Sequence, residues 1–252
     1  MGRPVTRALS DPGLGSAPGW PLVLYFHHVN PLVEHYTALR PDDFRRGLET
    51  VLERVGPAVD PGTVGPGFQP PDEPSVLVTF DDGYRDTLTL AAPALAEFDV
   101  RVLLFCTTGR LDRASTTNPA DRAALPPRES YLTWPEARRL AAAGHVLSAH
   151  THTHRKLTEL DPATARREVD DSLRRVAEQT GRTPRTFAYP YGLVPTPHPV
   201  PPTAVGFGTV KSAPEPWSQH PHDIRRTYLP VGDTDRWPAL ASEWREQWFG
   251  SR

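Results

Sequence analysis

VLVTFDDGYR, Val76–Arg85, is the stretch whose reading decides the fold. Val76, Leu77, Val78, Thr79 and Phe80 are apolar or β-branched and read as a buried strand, stopped by Asp81, Asp82 and Gly83. Two adjacent carboxylates at a strand end oppose each other's ionisation and call for a cation, a proton or solvent. A metal ion held by one carboxylate, with the other left free as a base, would resolve the conflict. On this stretch alone a plain Asp-Gly turn is the alternative.

Working outward, GHVLSAHTHTHRKL over Gly144–Leu157 carries His145, His150, His152 and His154, four of the ten histidines in the chain. Neutral imidazole is the commonest side-chain metal ligand. On a helical turn His150 and His154 share a face; in an extended chain His150, His152 and His154 do. Either way two ligands are on offer. One Asp and two His make a sound shell for Zn²⁺ or a similar divalent ion, with positions left open for water and substrate. A solvated polar loop is the alternative.

A third stretch, RTFAYPYG at Arg185–Gly192, is a strand running into a Pro-Tyr-Gly turn, and near the start LYFHHVNP at Leu24–Pro31 ends a short strand in two histidines. TFDDGY, SAHTHTH and FAYPYG, in this order, resemble the polysaccharide deacetylases (NodB-homology domain, carbohydrate esterase family 4), and the first-strand motif is similar to the biofilm poly-N-acetylglucosamine deacetylase branch. The resemblance runs from about Pro21 to about Val231. It implies an α/β fold, a distorted (β/α) barrel of about seven strands, and hydrolysis of an N-acetyl group on an amino sugar. Position by position, it implies that Asp82, His150 and His154 bind the metal and that Asp81 is the general base. It also implies that Tyr191, beside Pro190, supplies an oxyanion donor, and it sets Trp217 where an aromatic lines the pocket, with surface or core packing the equal alternative. The region RRTYLPVGD, Arg225–Asp233, lacks the histidine that many members use as general acid, so the role passes to His27, as in the biofilm branch. The family's base-orienting arginine falls on Ala188, so a different group must do that job; Arg185 is nearby in sequence. Zn²⁺ is the expected metal, with Co²⁺, Ni²⁺ or Fe²⁺ also suited to the ligand set.

Composition bounds the rest. At 252 residues, the chain reads as a lead-in over 1–20, rich in Gly, Pro and Ser and expected to be disordered, followed by one catalytic domain over 21–252. A net charge of −2 gives no footprint for nucleic acid or an anionic membrane, so a carbohydrate or small amide is the expected partner. The lone Cys106 excludes an internal disulfide and reads as a small buried strand residue. No run approaches a membrane span, and Met1–Trp20 lacks the pattern of a secretory signal, which makes the expected location cytoplasmic.

Between the motifs, strands are expected at Leu22–Phe26, Val102–Cys106, Val146–Ala149 and Thr186–Tyr189, and helices at Asp42–Val55, Asp86–Phe98 and Asp161 to about Gln179. Thr133 and Glu136 form a capping box for a helix ending at Gly144, and Trp237, Trp244 and Trp248 form the apolar stripe of a C-terminal helix. Thr107–Ser130 reads as a long surface loop. Five prolines in VPTPHPVPPTA, Val194–Ala204, forbid the helix expected between two strands there. Alternating strands and helices give a parallel sheet with its chemistry at the strands' C-terminal ends. Alternative activities compatible with these residues are hydrolysis of a small intracellular amide, O-deacetylation, or sugar binding without catalysis.

Overall fold

The computed structural model describes residues 11–250. Six parallel strands form one curled sheet in chain order: β1 Leu22–Phe26, β2 Val76–Phe80, β3 Leu103–Cys106, β4 Val146–Ala149, β5 Thr186–Ala188 and β6 Val205–Phe207. Neighbours pair in register, as in Leu22 with Val76 and Phe26 with Phe80 across β1 and β2. The seventh position of the expected barrel is an irregular segment. Ile224 N–H donates to Gly206 O at one edge, and Thr227 N–H donates to Val23 O at the other. Residues 224–227 therefore bridge β6 to β1 and close the curl.

Side chains alternate along each strand, so every strand is buried on both faces. Val23, Leu77, Leu103, Phe105, Val205 and Phe207 fill the barrel interior. Leu24, Phe26, Val78, Phe80, Leu104 and Phe187 face outward beneath the helices. Cys106 belongs to that outer layer and is fully buried, as a small strand residue.

Four of the seven α-helices among the described residues follow their sequence signals. The seven are α1 Pro41–Arg54, α2 Ala92–Glu97, α3 Thr108–Thr116, α4 Pro119–Ala123, α5 Trp134–Ala142, α6 Pro162–Thr180 and α7 Trp237–Trp248. The capping box before α5 is formed: Thr133 Oγ1 accepts from Glu136 N–H, and Glu136 accepts from Thr133 N–H. Asp161 caps α6, which ends at Gly181 in the left-handed conformation at φ 69°. On α7, Trp237 and Trp244 are buried while Trp248 is partly exposed.

Four expectations are corrected. Residues 11–20 are an ordered strap: Gln247 holds Gly15 N–H and Gly13 O, Trp244 Nε1–H donates to Pro12 O, and Ala17 is buried. Residues 1–10 lie outside the described part. Thr107–Ser130 contains α3 and α4, the first seated by Leu111 and by Trp134 Nε1–H donating to Asp112. The helix expected over 86–98 is a single wide turn at Thr87–Ala91 followed by α2, with Pro93 in the first turn of α2. Trp217 is the fourth and is placed below. The proline-rich Val194–Ala204 has no helix, as its prolines require, yet Val200 and Ala204 are buried and β5 and β6 still pair in parallel.

Candidate active site

The C-terminal ends of the strands carry the chemistry. His27 follows β1, Asp81 and Asp82 follow β2, His150 follows β4, and Pro190 and Tyr191 follow β5. Four non-glycine residues of this rim, Asp82, Thr151, His154 and Tyr191, have φ between 62° and 68°; Asp99 is the only other such residue described. Each such conformation costs on the order of 1–3 kcal/mol, so the strain is gathered at one place, where the surrounding structure enforces it.

Asp82, His150 and His154 bring one donor atom each to within 4.8 Å of one another. His150 Nδ1–H donates to Ala188 O at 2.7 Å, which fixes the tautomer and leaves Nε2 as a free lone pair. Burial holds the His150 imidazole down to about 4, so it is neutral at neutral pH, as a ligand must be. Asp82 is buried, which raises its carboxyl, but the hydrogen bond with His154 (Nε2 to Oδ1, 3.1 Å) together with the pull of the His154, His27 and His150 rings outweighs that and holds it well below the usual range. Arg110 Nη1–H donates to the same oxygen at 3.1 Å. The donor set fits a divalent cation.

Asp81 answers the opening conflict of two adjacent carboxylates differently from its neighbour. Arg226, fully buried on the closing segment, makes a two-pronged ion pair with it: Nη1 to Oδ1 at 2.6 Å and Nη2 to Oδ2 at 2.8 Å. Burial raises the Asp81 carboxyl, and the guanidinium more than reverses this, leaving it ionised. Arg226 is itself fixed by Gly208 O at 2.7 Å and Thr79 Oγ1 at 3.1 Å, and lies over the rings of Tyr25 and Phe105. Arg185 instead reaches Pro66 O, outside the site. A buried guanidinium therefore stands against Asp81, and it comes from the closing segment, not from position 188. Its sequence signal was the pair Arg225-Arg226 in an otherwise strand-like run, a region that the family pattern presents as a place for histidine.

His27 lines the same cavity as Asp82, His154 and Tyr191, a space of about 300 Å³. Its Nδ1 lies 2.7 Å from Thr37 Oγ1, which lies 2.8 Å from His35 Nδ1. Thr37 N–H already donates to His35 Nδ1, so that nitrogen is an acceptor. The Thr37 hydroxyl therefore gives its proton to His35 and accepts from His27 Nδ1–H, leaving His27 Nε2 for the cavity. Burial lowers the His27 imidazole, against the upward pull of Asp81 and Asp82. His28 also lines the cavity and donates through Nδ1 to buried Asp86 at 2.7 Å. Thr37, His35, Asp86 and Arg110 are site residues that the sequence reading missed; none lies in a quoted motif at a telling spacing.

Tyr191 is half exposed, with its ring 5.0 Å from that of His154, and Pro190 is buried beside it. Gly192 follows at φ 61°, where an added Cβ would collide with Thr209. Trp217 is not with them. It stacks between Trp20 and Phe68, at 5.2 and 5.1 Å. Trp20 precedes β1, and Val205, the first residue of β6, lines the same recess, so Trp217 plugs the opposite end of the barrel. Other histidines of the cluster are structural: His145 accepts from Val102 N–H, and His152 Nδ1 pairs with Thr108 Oγ1.

The polysaccharide deacetylase family model matches residues 68–198, just over half of the chain. The chain belongs to the polysaccharide deacetylase family. A curated relative, a putative polysaccharide deacetylase named YxkH from Bacillus subtilis, is 25% identical over 122 residues, which cover 48% of this chain and 38% of the relative. The match therefore spans well under half of that relative's length. Among solved structures, the Streptococcus pyogenes deacetylase PplD is 19% identical with a TM-score of 0.69, covering 86% of this chain and 93% of its own. IcaB from Ammonifex degensii is 20% identical with a TM-score of 0.65, covering 92% of this chain and all of its own. These likenesses establish the fold. Among the described residues, no helix is long and apolar enough to cross a membrane.

Proposed function

We propose that this protein is a metal-dependent deacetylase that hydrolyses the N-acetyl group of an amino sugar, with the acid supplied from the first strand as in the biofilm branch of the family. The observation that carries this reading is the division of labour between neighbouring carboxylates. Asp81 is locked by Arg226, while Asp82 joins two imidazoles in a three-donor cluster. Asp82, His150 Nε2 and His154 would hold the divalent cation. A divalent cation bound there supplies Lewis acidity, which polarises the acyl oxygen and lowers the pKa of the attacking water.

The remaining steps belong to the chain. Asp81, kept ionised and aimed by Arg226, takes a proton from the water as it attacks the acyl carbon. The Tyr191 backbone N–H is the donor for the oxyanion that develops, and its left-handed conformation beside Pro190 sets its direction. His27 delivers a proton through Nε2 to the nitrogen as the C–N bond breaks. Its lowered pKa makes the protonated form a stronger donor at the expense of its population.

The test is acetate release from N-acetylglucosamine monomers and oligomers after chelation and re-addition of Zn²⁺ or Co²⁺. Turnover should return with the metal, and Asp81→Asn and His27→Gln should each lower kcat about 10²- to 10⁴-fold with metal content retained. Metal bound in the expected stoichiometry without release from any N-acetyl sugar would overturn the substrate. Near-normal turnover by His27→Gln would remove that residue from its role.

A further inference from the structure

Deacetylation of a neutral sugar uses none of the positive charge at the mouth of this cavity. Arg128 and Lys211 line it from two different segments, one before α5 and one after β6. Arg128 donates to the backbone oxygen of Glu34, and Lys211 Nζ to the backbone oxygen of Tyr191 at 2.9 Å. Among the described residues neither is paired with a carboxylate. The buried acids at the strand ends are already matched: Asp81 by Arg226, Asp82 by Arg110 and His154, and Asp86 by His28. Lys156, over the Tyr191 ring, is matched by Glu159. Two cations are left over, both held in place through neutral carbonyl oxygens that consume only part of their hydrogen-bonding capacity.

We propose that the substrate is an N-acetyl amino sugar that carries an oxyanion, a carboxylate or a phosphate, which Arg128 and Lys211 receive at the cavity mouth. This rests on the deacetylase reading and narrows its substrate. A guanidinium matches the geometry of either oxyanion, and an ammonium serves as a point charge beside it. The same two charges repel a glycan that has already lost acetyl groups and become cationic, so the site selects against its own multiply processed product. Both side chains are solvent-exposed, which makes the selection salt-sensitive.

The experiment measures equilibrium binding of three probes to the full chain, metal-free and Zn²⁺-loaded: N-acetylglucosamine, N-acetylmuramic acid with its carboxylate, and N-acetylglucosamine 6-phosphate. The metal-free arm removes direct ligation of the cation by the oxyanion. At low salt at least one anionic probe should bind about fivefold tighter than the neutral sugar, and that ratio should fall toward one at about 1 M salt and in Arg128→Gln/Lys211→Gln. Which anionic probe gains more identifies the oxyanion. Equal binding of all three, or a preference that survives the double substitution or high salt, overturns the proposal. An anion preference that meets these criteria in a protein releasing acetate from none of the sugars would instead overturn the deacetylase reading.

Discussion

At the scale of single residues, the ion pair between Arg226 and Asp81 carries the sharpest prediction. Both groups are buried, with every polar atom of the guanidinium directed at Asp81, Thr79 or Gly208. Removing the cation in Arg226→Met leaves an unpaired buried carboxylate, and thermal or urea unfolding should show a loss of about 3–5 kcal/mol. Arg226→Lys should recover little of it, because an ammonium cannot make the two-pronged contact. A second prediction concerns acid. Burial holds His35 down to about 4, against an ordinary 6.5, so the folded state disfavours its charged form. A depressed folded pKa contributes stability that is present above 6.5 and is lost as pH falls toward 4. Urea midpoints of the metal-free protein should therefore drop across that window, and His35→Gln should flatten the slope. Asp81, Asp82, His150 and His154 were legible in the sequence because each sits in a short motif. Arg226, Thr37 and His35 were not, because their roles depend on which distant strand ends the barrel brings together.

At the scale of elements, local chemistry was read well wherever it was local. Leu22–Phe26 and Val146–Ala149 coincide with the observed strands, and the Thr133 capping box and the Gly181 stop are formed as their residues dictate. The Thr107–Ser130 segment failed because α3 is held by tertiary partners: Leu111 beneath it, and Asp112 bridging Trp134 and Arg175. Its propensity alone is weak, and packing overrides it. The π turn at Thr87–Ala91 likewise has no sequence signature, although Pro93 marks where regular helix resumes. The C-terminal helix gives a test at this scale. Trp237 is fully buried, lies against Gly47 of α1, and donates through Nε1 to Pro230 O. Trp237→Ala should cost about 3–5 kcal/mol in denaturant unfolding and should leave metal content at native protein concentrations unchanged.

At the scale of the whole molecule, the family pattern foretold a barrel of about seven strands, and the chain builds six and an irregular closing segment. That closure also binds the strap of residues 11–20. Arg225 donates to Leu14 O and Asp11 O, and Thr227 Oγ1–H donates to Pro12 O. Deleting residues 1–20 strips these acceptors from the segment that carries Arg226. The truncated protein should unfold at lower urea than the full chain and lose turnover more steeply than it loses metal. Equal stability of the two would show that the strap is dispensable. The composition of the lead-in, rich in Gly, Pro and Ser, hid this because its bonds run through its backbone oxygens, which every sequence possesses.

Arg226 and Asp81 stand 145 positions apart, and the segment holding Arg226 is also the seam between the first and last strands. Contacts of such long sequence separation form only after much chain entropy has been given up. A partly assembled chain can therefore present Asp82, His150 and His154 together while its prospective base still lacks its counter-charge. Hydrolysis then becomes a report on completion: a barrel that has not been zipped shut could capture a metal ion and remain inert, and a loosened seam would silence the site before the ion is lost.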